Sequence, residues 1–553
     1  MSAAPTPPAP SGRLAELYAR LQARPAWLHA ACLAAWLLLN FAPALGLGFV
    51  WDDDNVIVEG PGIRAPDAVQ RAFTHDAMQF VRPEERPGGT WRPLSLAYLA
   101  LEYKLFGPNP AMFHLGTALL HVGAMLALWS LLRRPLGLTL ATATCMALGV
   151  HATTVESVVW VNGLSEPICL LFGALAWGLL AHPRLNLARA AAASALLLLA
   201  LMGKETGLVF AALAPLAALA LREPPPSDER GVPWRRAALG GLAGLLAAAA
   251  WWAIRRHIVS SAALVEGSDL GQLAFLVPGV WFLLLQQALL PLKHAPTLLG
   301  VRLGELSYLE GWVGMALAAA AVLGAGWLLW RRRWVPLLGL GWWLVGTAPA
   351  LFLIFTLWPG FNRWLYLGLP GLALLGLGLA LGPRLEAHGA RRPLAALALG
   401  LFALLQAALL RLAMPDWEDN VSLGGAVVRQ FPDAQHGYAM LAVHLGRHGH
   451  WEPVPQVCDA GLPKPMPDWR LYEVCAQAHA DEGHCARAMS LQRDLLTKTG
   501  KPPAGSMQSA LECWKRAGDD GQQLEQHARA LCDGFGEACV KPWAEGWRAL
   551  HAP

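Results

Sequence analysis

The chain has 553 residues, of which 55% are hydrophobic and 15% charged, and its mean hydropathy is +0.38. A soluble domain carries roughly 25% charged residues, so this composition excludes an ordinary soluble protein and predicts an integral membrane protein. The net charge of +4 is small, and the arginines stand in short clusters between apolar runs. This distribution argues against nucleic-acid binding and indicates membrane topology instead.

Residues 1–25 form a tail rich in proline and arginine, which we predict to be cytoplasmic. The apolar run that follows, Ala26 to Phe49, is longer than the core of a signal peptide and lacks a convincing cleavage site. We therefore predict an uncleaved signal anchor.

About eleven apolar segments are long enough to cross a bilayer, and arginine clusters fall at every second connection between them. By the positive-inside rule, this alternation predicts a cytoplasmic N-terminus and an external C-terminus. The predicted segments are 26–49, 113–132, 136–150, 163–181, 188–202, 206–221, 237–254, 312–330, 335–356, 364–381 and 394–413.

A further apolar stretch, Leu273 to Leu292, would break the alternation if it crossed the membrane. Its Pro278, Gln286-Gln287 and Pro291 suit a re-entrant or interfacial segment. The predicted fold class is therefore all-α: a polytopic membrane helix bundle over residues 26–413, with outer loops at 50–111 and 255–311.

Residues 414–553 are polar and of helical pattern, and they predict an external soluble domain. Gly449, Gly483 and Gly518 recur at spacings of 34 and 35 residues, which is the period of tetratricopeptide (TPR) repeats. A domain of this kind binds a protein or peptide partner, and simple structural capping is the alternative.

Six of the nine cysteines crowd this polar region. An even cluster predicts at least two disulfides and an oxidising compartment. Cys532–Cys539 and Cys475–Cys485 are the pairs closest in sequence, although spacing alone does not fix the partners. A zinc site is the alternative, but no Cys-x-x-Cys pair is present. The six are Cys458, Cys475, Cys485, Cys513, Cys532 and Cys539.

Polar residues recur where the predicted helices reach the outer face, beginning with the carboxylate triplet Asp52-Asp53-Asp54. Ionisable groups beside a membrane cavity are usually functional, so their convergence predicts a carboxylate site at the membrane surface. A solvated loop that merely stops the first helix is the alternative for the triplet. The other residues of the predicted site are Arg92, His151, Glu156, Glu166, Lys204, Glu205, Arg363 and Tyr366.

Several short motifs occur in an order that resembles one family, and together they cover about residues 30 to 420. They are similar to motifs of polytopic GT-C glycosyltransferases of the transmembrane-and-TPR O-mannosyltransferase type. The motifs are Phe49-Val50-Trp51-Asp52-Asp53, Trp91-Arg92-Pro93-Leu94, Leu105-Phe106-Gly107 with Asn109-Pro110 and His114, His151 with Glu156-Ser157-Val158, Gly203-Lys204-Glu205, and Arg363-Trp364-Leu365-Tyr366-Leu367.

Three positions depart from the family pattern. Gly163-Leu164-Ser165-Glu166 lacks an expected arginine, Thr117 replaces an asparagine, and Asn362 stands where an acidic residue often precedes the arginine. These differences would fit another sugar or acceptor, or a weakened enzyme.

The resemblance implies an inverting transfer of a monosaccharide, mannose in the family, from a polyprenyl-phosphate donor to a protein Ser/Thr hydroxyl. Asp52 or Asp53 would be the base, and the cations Arg92, Lys204 and Arg363 would bind the donor phosphate. No cofactor is certain, although packed carboxylates could hold a divalent metal. The residues assigned to the acceptor or sugar are His151, Glu156, Glu166, Glu205 and Tyr366.

Two other functions fit the same residues. The acceptor could be a lipid or polysaccharide, or the chain could be a non-catalytic scaffold that presents the repeats outside the membrane. A transporter is disfavoured because the charges gather at one face rather than at mid-membrane. The C-terminal domain is predicted to be periplasmic or lumenal. A periplasmic domain, on a protein of the bacterial inner membrane, is the preferred assignment.

The arginine pattern gives a direct topology prediction. Reporter tags after Arg134, near Glu229 and near His388 should be protected on the cytoplasmic side, whereas a tag near Gly500 should be labelled from outside. Protease protection in sealed vesicles measures this. A cytoplasmic signal at Gly500 would mean that Leu273 to Leu292 crosses the membrane and that the outer-face assignment is wrong.

Overall fold

The computed structural model describes residues 12–83, 88–222, 233–259, 270–296, 307–348, 362–381, 391–465, 468–499, 509, 512–518, 521–532 and 541. The tag positions Glu229, His388 and Gly500 lie outside these residues. The chain divides into two compact units, Met1–Trp417 and Glu418–Pro553, whereas the sequence analysis places the boundary at 413/414. The described residues form helices and turns without a β-strand, which confirms the all-α fold class.

The first unit begins with short and long helices that alternate with 3₁₀ turns. Its helices are α1 (Arg13–Gln22), α2 (Ala26–Phe41), α3 (Pro61–Arg64), α4 (Ala68–Thr74), α5 (Ala77–Val81), α6 (Pro93–Phe106), α7 (Pro110–Leu136), α8 (Leu138–Gly149), α9 (Val155–Val158), α10 (Ser165–Leu180), α11 (Leu187–Gly203), α12 (Leu208–Ala212), α13 (Ala214–Ala220), α14 (Trp234–Ile258), α15 (Leu270–Leu289), α16 (Tyr308–Trp330), α17 (Trp334–Thr347), α18 (Arg363–Tyr366), α19 (Leu369–Ala380) and α20 (Arg391–Ala413).

Six stretches of helix in the described residues are long and apolar enough to cross a membrane, or seven if the bent pair Leu138–Gly149 and Ala152–Val158 is one span. They identify an integral membrane protein. Four shorter apolar helices fall below spanning length, so the count of about eleven crossings and the orientation stay predictions. The four are Leu187–Gly203, Val277–Leu289, Trp334–Thr347 and Leu369–Ala380.

The stretch Leu273 to Leu292 is helical for most of its length, because α15 continues through Pro278. A Cβ atom at Gly314 of α16 would lie 2.4 Å from the Pro278 carbonyl oxygen. The two helices therefore approach closely at this glycine. Whether α15 crosses the membrane stays a prediction.

Between the first two long helices, the chain folds into the compact segment that carries the carboxylate triplet. An apolar cluster that includes Ile57, Phe80, Phe113 and Leu164 holds it against the helices. Asp76 fixes the return of the chain, because its carboxylate accepts hydrogen bonds from the backbone N–H groups of Met78, Gly88 and Thr90 at 2.8–2.9 Å. This loop delivers Trp91 and Arg92 to the start of α6.

The second unit repeats a helix–turn–helix arrangement. At Gly449, Gly483 and Gly518 the backbone has φ of +77°, +84° and +92°, a left-handed conformation that suits glycine because it has no Cβ. The sequence spacing of 34 and 35 residues thus marks equivalent helix ends. The assignment to the TPR family stays a prediction. The helices are α21 (Asn420–Gln430), α22 (Gln435–Arg447), α23 (Val454–Gly461), α24 (Trp469–Asp481), α25 (Cys485–Thr499) and α26 (Gly521–Leu531).

Two disulfides, Cys458–Cys475 and Cys485–Cys513, join neighbouring helical segments of this unit. The prediction of at least two disulfides is confirmed, but the pair Cys475–Cys485 is wrong. Cys475 lies within α24 with its Cα 5.8 Å from that of Cys458 on α23, whereas Cys485 begins α25 beyond a turn. Cys532 is also disulfide-bonded, and Cys539 lies outside the described residues.

Removing the first disulfide should loosen the second unit. In Cys458→Ala/Cys475→Ala, the closed loop of 17 residues is released, and the free energy of unfolding should fall by about 3 kcal/mol. Urea titration followed by limited proteolysis of this unit measures the change. An unchanged midpoint would mean that helix packing alone fixes these repeats.

Candidate active site

The carboxylate triplet stands at a strained turn. Trp51 has φ of +59°, which is rare for a bulky side chain and is found mostly where a site needs it. Asp52 is exposed, Asp53 is fully buried, and Asp54 begins a single π-helical turn, Asp54–Val58. The three carboxylates therefore occupy three different environments.

Asp53 is fixed by the chain that follows α9. Its Oδ1 accepts hydrogen bonds from the backbone N–H of Asn162 at 3.0 Å and from Asn162 Nδ2 at 2.6 Å. Its Oδ2 accepts one from the Val50 N–H at 3.3 Å. Burial raises the pKa of Asp53 to about 7, although these donors favour the charged form and the nearby Asp52 disfavours it.

Two tryptophans hold Arg363 beside this turn. The rings of Trp51 and Trp160 stack with centroids 4.7 Å apart, and the Arg363 guanidinium carbon lies 5.6 Å and 5.1 Å from the two rings. Arg363 Nε also lies 3.7 Å from Oε1 of the buried Glu156. Cation–π contact and ion pairing together place one positive charge next to the triplet.

Glu166 and Lys204 form a second pair, which is almost fully buried, by a direct hydrogen bond from the ammonium to the carboxylate. Lys204 also interacts electrostatically with Glu156. The Glu156–Arg363 pair and the Glu166–Lys204 pair are therefore neighbours. Burying such charges is tolerated only because each has an opposite partner.

Arg92 and Glu205 form the third pair, with a bidentate geometry of 3.0 Å and 2.5 Å. Their side chains are 32% and 41% exposed. Beside them is a cavity of about 500 Å³, whose lining includes Glu205, Trp251 and Arg255. Arg255 donates a hydrogen bond to the Gly89 carbonyl at 2.6 Å and lies over the Trp251 ring.

Two predicted site residues are buried in contacts between helical segments. Tyr366 is buried and its hydroxyl lies 2.7 Å from Nδ1 of His121. His151 is buried, with Nε2 2.9 Å from the Ala288 carbonyl oxygen and Nδ1 2.8 Å from the Thr153 hydroxyl. These contacts tie helices together, and the assignment of either residue to an acceptor or sugar stays a prediction.

Two of the three departures from the family pattern fit their surroundings in the structure. Leu164 is fully buried in the apolar cluster around Ile57, so an arginine there would bury an unpaired charge. Asn362 donates its backbone N–H to Glu156 at 3.1 Å and accepts a hydrogen bond from Gln287 at 2.8 Å. A carboxylate at that position would lie close to Glu156 and repel it.

Sequence reasoning missed the roles of Asn162, Trp160 and Arg255. Asn162 and Trp160 are brought to the triplet from more than a hundred residues away, and no local pattern reports such pairing. Arg255 did leave a signal, because it ends a span at the predicted outer face, where the positive-inside rule disfavours arginine.

Comparison with known proteins gives one partial similarity. The chain is 30% identical over 155 residues to "Protein O-mannosyl-transferase Tmtc2" of Drosophila melanogaster. The match covers 27% of this chain and 16% of that protein, so the chain spans about a sixth of the length of its curated relative. No protein-family model and no solved structure matches the chain.

The pKa of Asp53 predicts how stability depends on pH. Because the folded-state pKa is raised to about 7, the folded protein binds this proton before the unfolded chain does. The stability contributed by the protonated form is therefore fully present below the ordinary pKa of 3.8 and is lost progressively as the pH rises to the folded-state pKa of about 7.

The unfolding temperature of wild type should accordingly fall relative to that of Asp53→Asn as the pH is raised from 5 to 8. Thermal unfolding in detergent at several pH values measures it, with Asp54→Asn as the control. A difference that does not change with pH would show that Asp53 stays ionised throughout.

Proposed function

We propose that this chain is a membrane glycosyltransferase that moves a monosaccharide, mannose by similarity, from a polyprenyl-phosphate donor to the hydroxyl of a protein Ser or Thr. The acceptor oxygen forms a bond to the sugar C1 while the bond from C1 to the phosphate oxygen breaks. The acceptor proton passes to a carboxylate, and the lipid phosphate leaves. Attack opposite the leaving group inverts the configuration at C1.

The observation that carries this proposal is the array of three ion pairs next to one exposed carboxylate. Arg363, paired with Glu156, lies over the ring of Trp51, which precedes Asp52 in the chain. Lys204–Glu166 interacts electrostatically with Glu156, and Arg92–Glu205 with Glu166, so the three pairs form one connected series. A leaving phosphate needs fixed positive charge, and an acceptor hydroxyl needs a base. The partial similarity to an O-mannosyltransferase supports the same chemistry.

We assign the role of base to Asp52 and a positioning role to Asp53. Asp52 is exposed and can meet a hydroxyl, whereas both oxygens of Asp53 already accept N–H bonds. The strained turn at Trp51 then serves to aim the Asp52 carboxylate. A divalent metal at the triplet is a separate hypothesis, which is tested by adding a metal chelator to the transfer assay.

For the donor phosphate, Arg255 suits direct contact because it lines the cavity beside Trp251, and the partly exposed Arg92 suits it because its partner Glu205 lines the same cavity. An incoming phosphate can take the place of Glu205 on Arg92, since a guanidinium binds either group with two hydrogen bonds. The polyprenyl chain would follow the apolar side of α14. Lys204 is buried against Glu166, so its charge acts at short range on the other pairs.

The reaction is tested by transfer of radiolabelled mannose from a polyprenyl-phosphate donor into protein, using membranes that contain the chain. Asp52→Asn keeps the shape and removes the base, so transfer should fall by roughly 10²-fold or more. Asp53→Asn should also lose activity, together with the stability change described above. Asp54→Asn is the matched control and should lose far less.

Label that appears in lipid or polysaccharide instead of protein would reassign the acceptor. Equal and mild losses for all three variants, with normal protein levels, would contradict the enzyme assignment and favour the non-catalytic scaffold. In that case the triplet is a solvated helix end.

The donor cations give a second test. Arg255→Gln should raise the KM for the polyprenyl-phosphate donor about tenfold while kcat changes little, because it removes uniform binding of the phosphate. The neighbouring Arg256→Gln is the control, since Arg256 is exposed and lies outside the cavity lining. Equal KM values for the two variants would place the donor phosphate elsewhere.

A further inference from the structure

The turn after α24 brings three potential metal ligands together in the second unit. Helix α24 ends in a Schellman motif: the N–H of His484 bonds to the His479 carbonyl at 2.8 Å, and the N–H of Gly483 to the Ala480 carbonyl at 3.1 Å. Gly483 adopts φ of +84° there. The reversal of the chain places the side chains of His479, Glu482 and His484 on one side of the turn.

One ligand atom from each of these three residues lies within 4.8 Å of the other two. Nδ1 of His484 is 3.4 Å from Oε2 of Glu482, and Nδ1 of His479 is 3.8 Å from the same oxygen. Zinc with ligands at about 2.1 Å needs them roughly 3.4 Å apart. Small rotations of the two exposed side chains, Glu482 and His484, would complete this geometry.

His479 is the unusual member of the group. Its side chain is 10% exposed, and neither ring nitrogen has a hydrogen-bond partner among the described residues. A buried imidazole without a partner is costly, and a metal ion would satisfy it.

The preceding repeat provides an internal comparison. Its turn has the same Schellman bonds, from His450 to Leu445 at 2.9 Å and from Gly449 to Gly446 at 3.0 Å. The position equivalent to His479 is Leu445, which cannot ligate a metal. Glycine and histidine therefore recur at both turns, but only one of these two turns has the third, buried ligand.

We propose that His479, Glu482 and His484 bind one divalent transition-metal ion of the zinc class. Two imidazoles and one carboxylate form a ligand set that suits Zn²⁺ and leaves a fourth position for water or an incoming ligand. His484 and Glu482 are 65% and 44% exposed, so that position faces solvent. The ion would clamp the end of α24 to the start of α25, where Cys485 is tied to Cys513.

The test uses the full-length chain in detergent, with its affinity tag removed and metals stripped by chelator. Zn²⁺ is added with a competing chelator indicator, and bound metal is counted by mass spectrometry. Cobalt substitution provides a second readout, because a low-coordinate Co²⁺ site gives strong visible absorption. The variants are His484→Ala, Glu482→Gln and His479→Ala, and the control variants are His450→Ala and His444→Ala/His448→Ala.

We expect wild type to bind one equivalent of Zn²⁺ more tightly than His484→Ala does, with a loss of at least tenfold in affinity and the disappearance of the Co²⁺ spectrum. Glu482→Gln should weaken binding in the same direction, and both control proteins should bind like wild type. Because His479 is buried, His479→Ala is interpreted only if its protease resistance is normal.

Two results would overturn the proposal. One is wild type that takes up no Zn²⁺ at micromolar concentrations; the other is equal stoichiometry and affinity in wild type and His484→Ala. Sugar transfer is not needed for any of these measurements, so failure of the proposed enzyme and failure of the metal site are distinguishable.

Discussion

The first unit depends on the pairing of charges that water cannot reach. Moving an unpaired carboxylate or ammonium out of water is very costly, so a buried charge survives only with a partner at short range. Glu166 with Lys204 is almost fully buried, Glu156 with Arg363 is nearly so, and Arg92 with Glu205 borders a cavity. The pairs thus run from sealed to accessible, and the accessible end is where a charged ligand can exchange with a protein group.

Because of this pairing, a single substitution in the cluster changes both the stability of the fold and the chemistry of the site. Removing one partner of a buried pair costs roughly 3–5 kcal/mol, because the other charge is left uncompensated. An activity loss at Lys204 therefore combines folding and chemistry. Asp52 and Arg255 are better probes, because solvent reaches the first and the second borders an open cavity.

Much of the fold follows from local sequence. Apolar length predicted membrane helices, and the recurring glycines predicted equivalent helix ends, because a left-handed turn is a property of a few adjacent residues. Most residues of the candidate site were also named from sequence, since polar groups at helix ends are conspicuous in an apolar chain.

What sequence could not provide was partnership across long distances. It could not distinguish the exposed Asp52 from the buried Asp53, because Asp53 is bonded to Asn162, which is 109 residues away in the sequence. It suggested Cys475–Cys485 from proximity along the chain, whereas the helices bring Cys458 to Cys475. The proposed metal site was missed for a different reason. Its three residues are close in sequence, but only the Schellman motif places their side chains on the same side of the turn.

The contact between Glu156 and Asn362 has a consequence for how the protein is made. The two residues are 206 positions apart, so synthesis at 5–20 residues per second separates their emergence by roughly 10–40 s. During that interval Glu156 has left the ribosome without the arginine that later neutralises it. Until the later helices are synthesised, the Glu156 side chain must either stay in water or enter the bilayer in its protonated form. We therefore expect this membrane unit to depend most on insertion factors in that interval, before its last helices are inserted. Degradation by quality control should also be most frequent then.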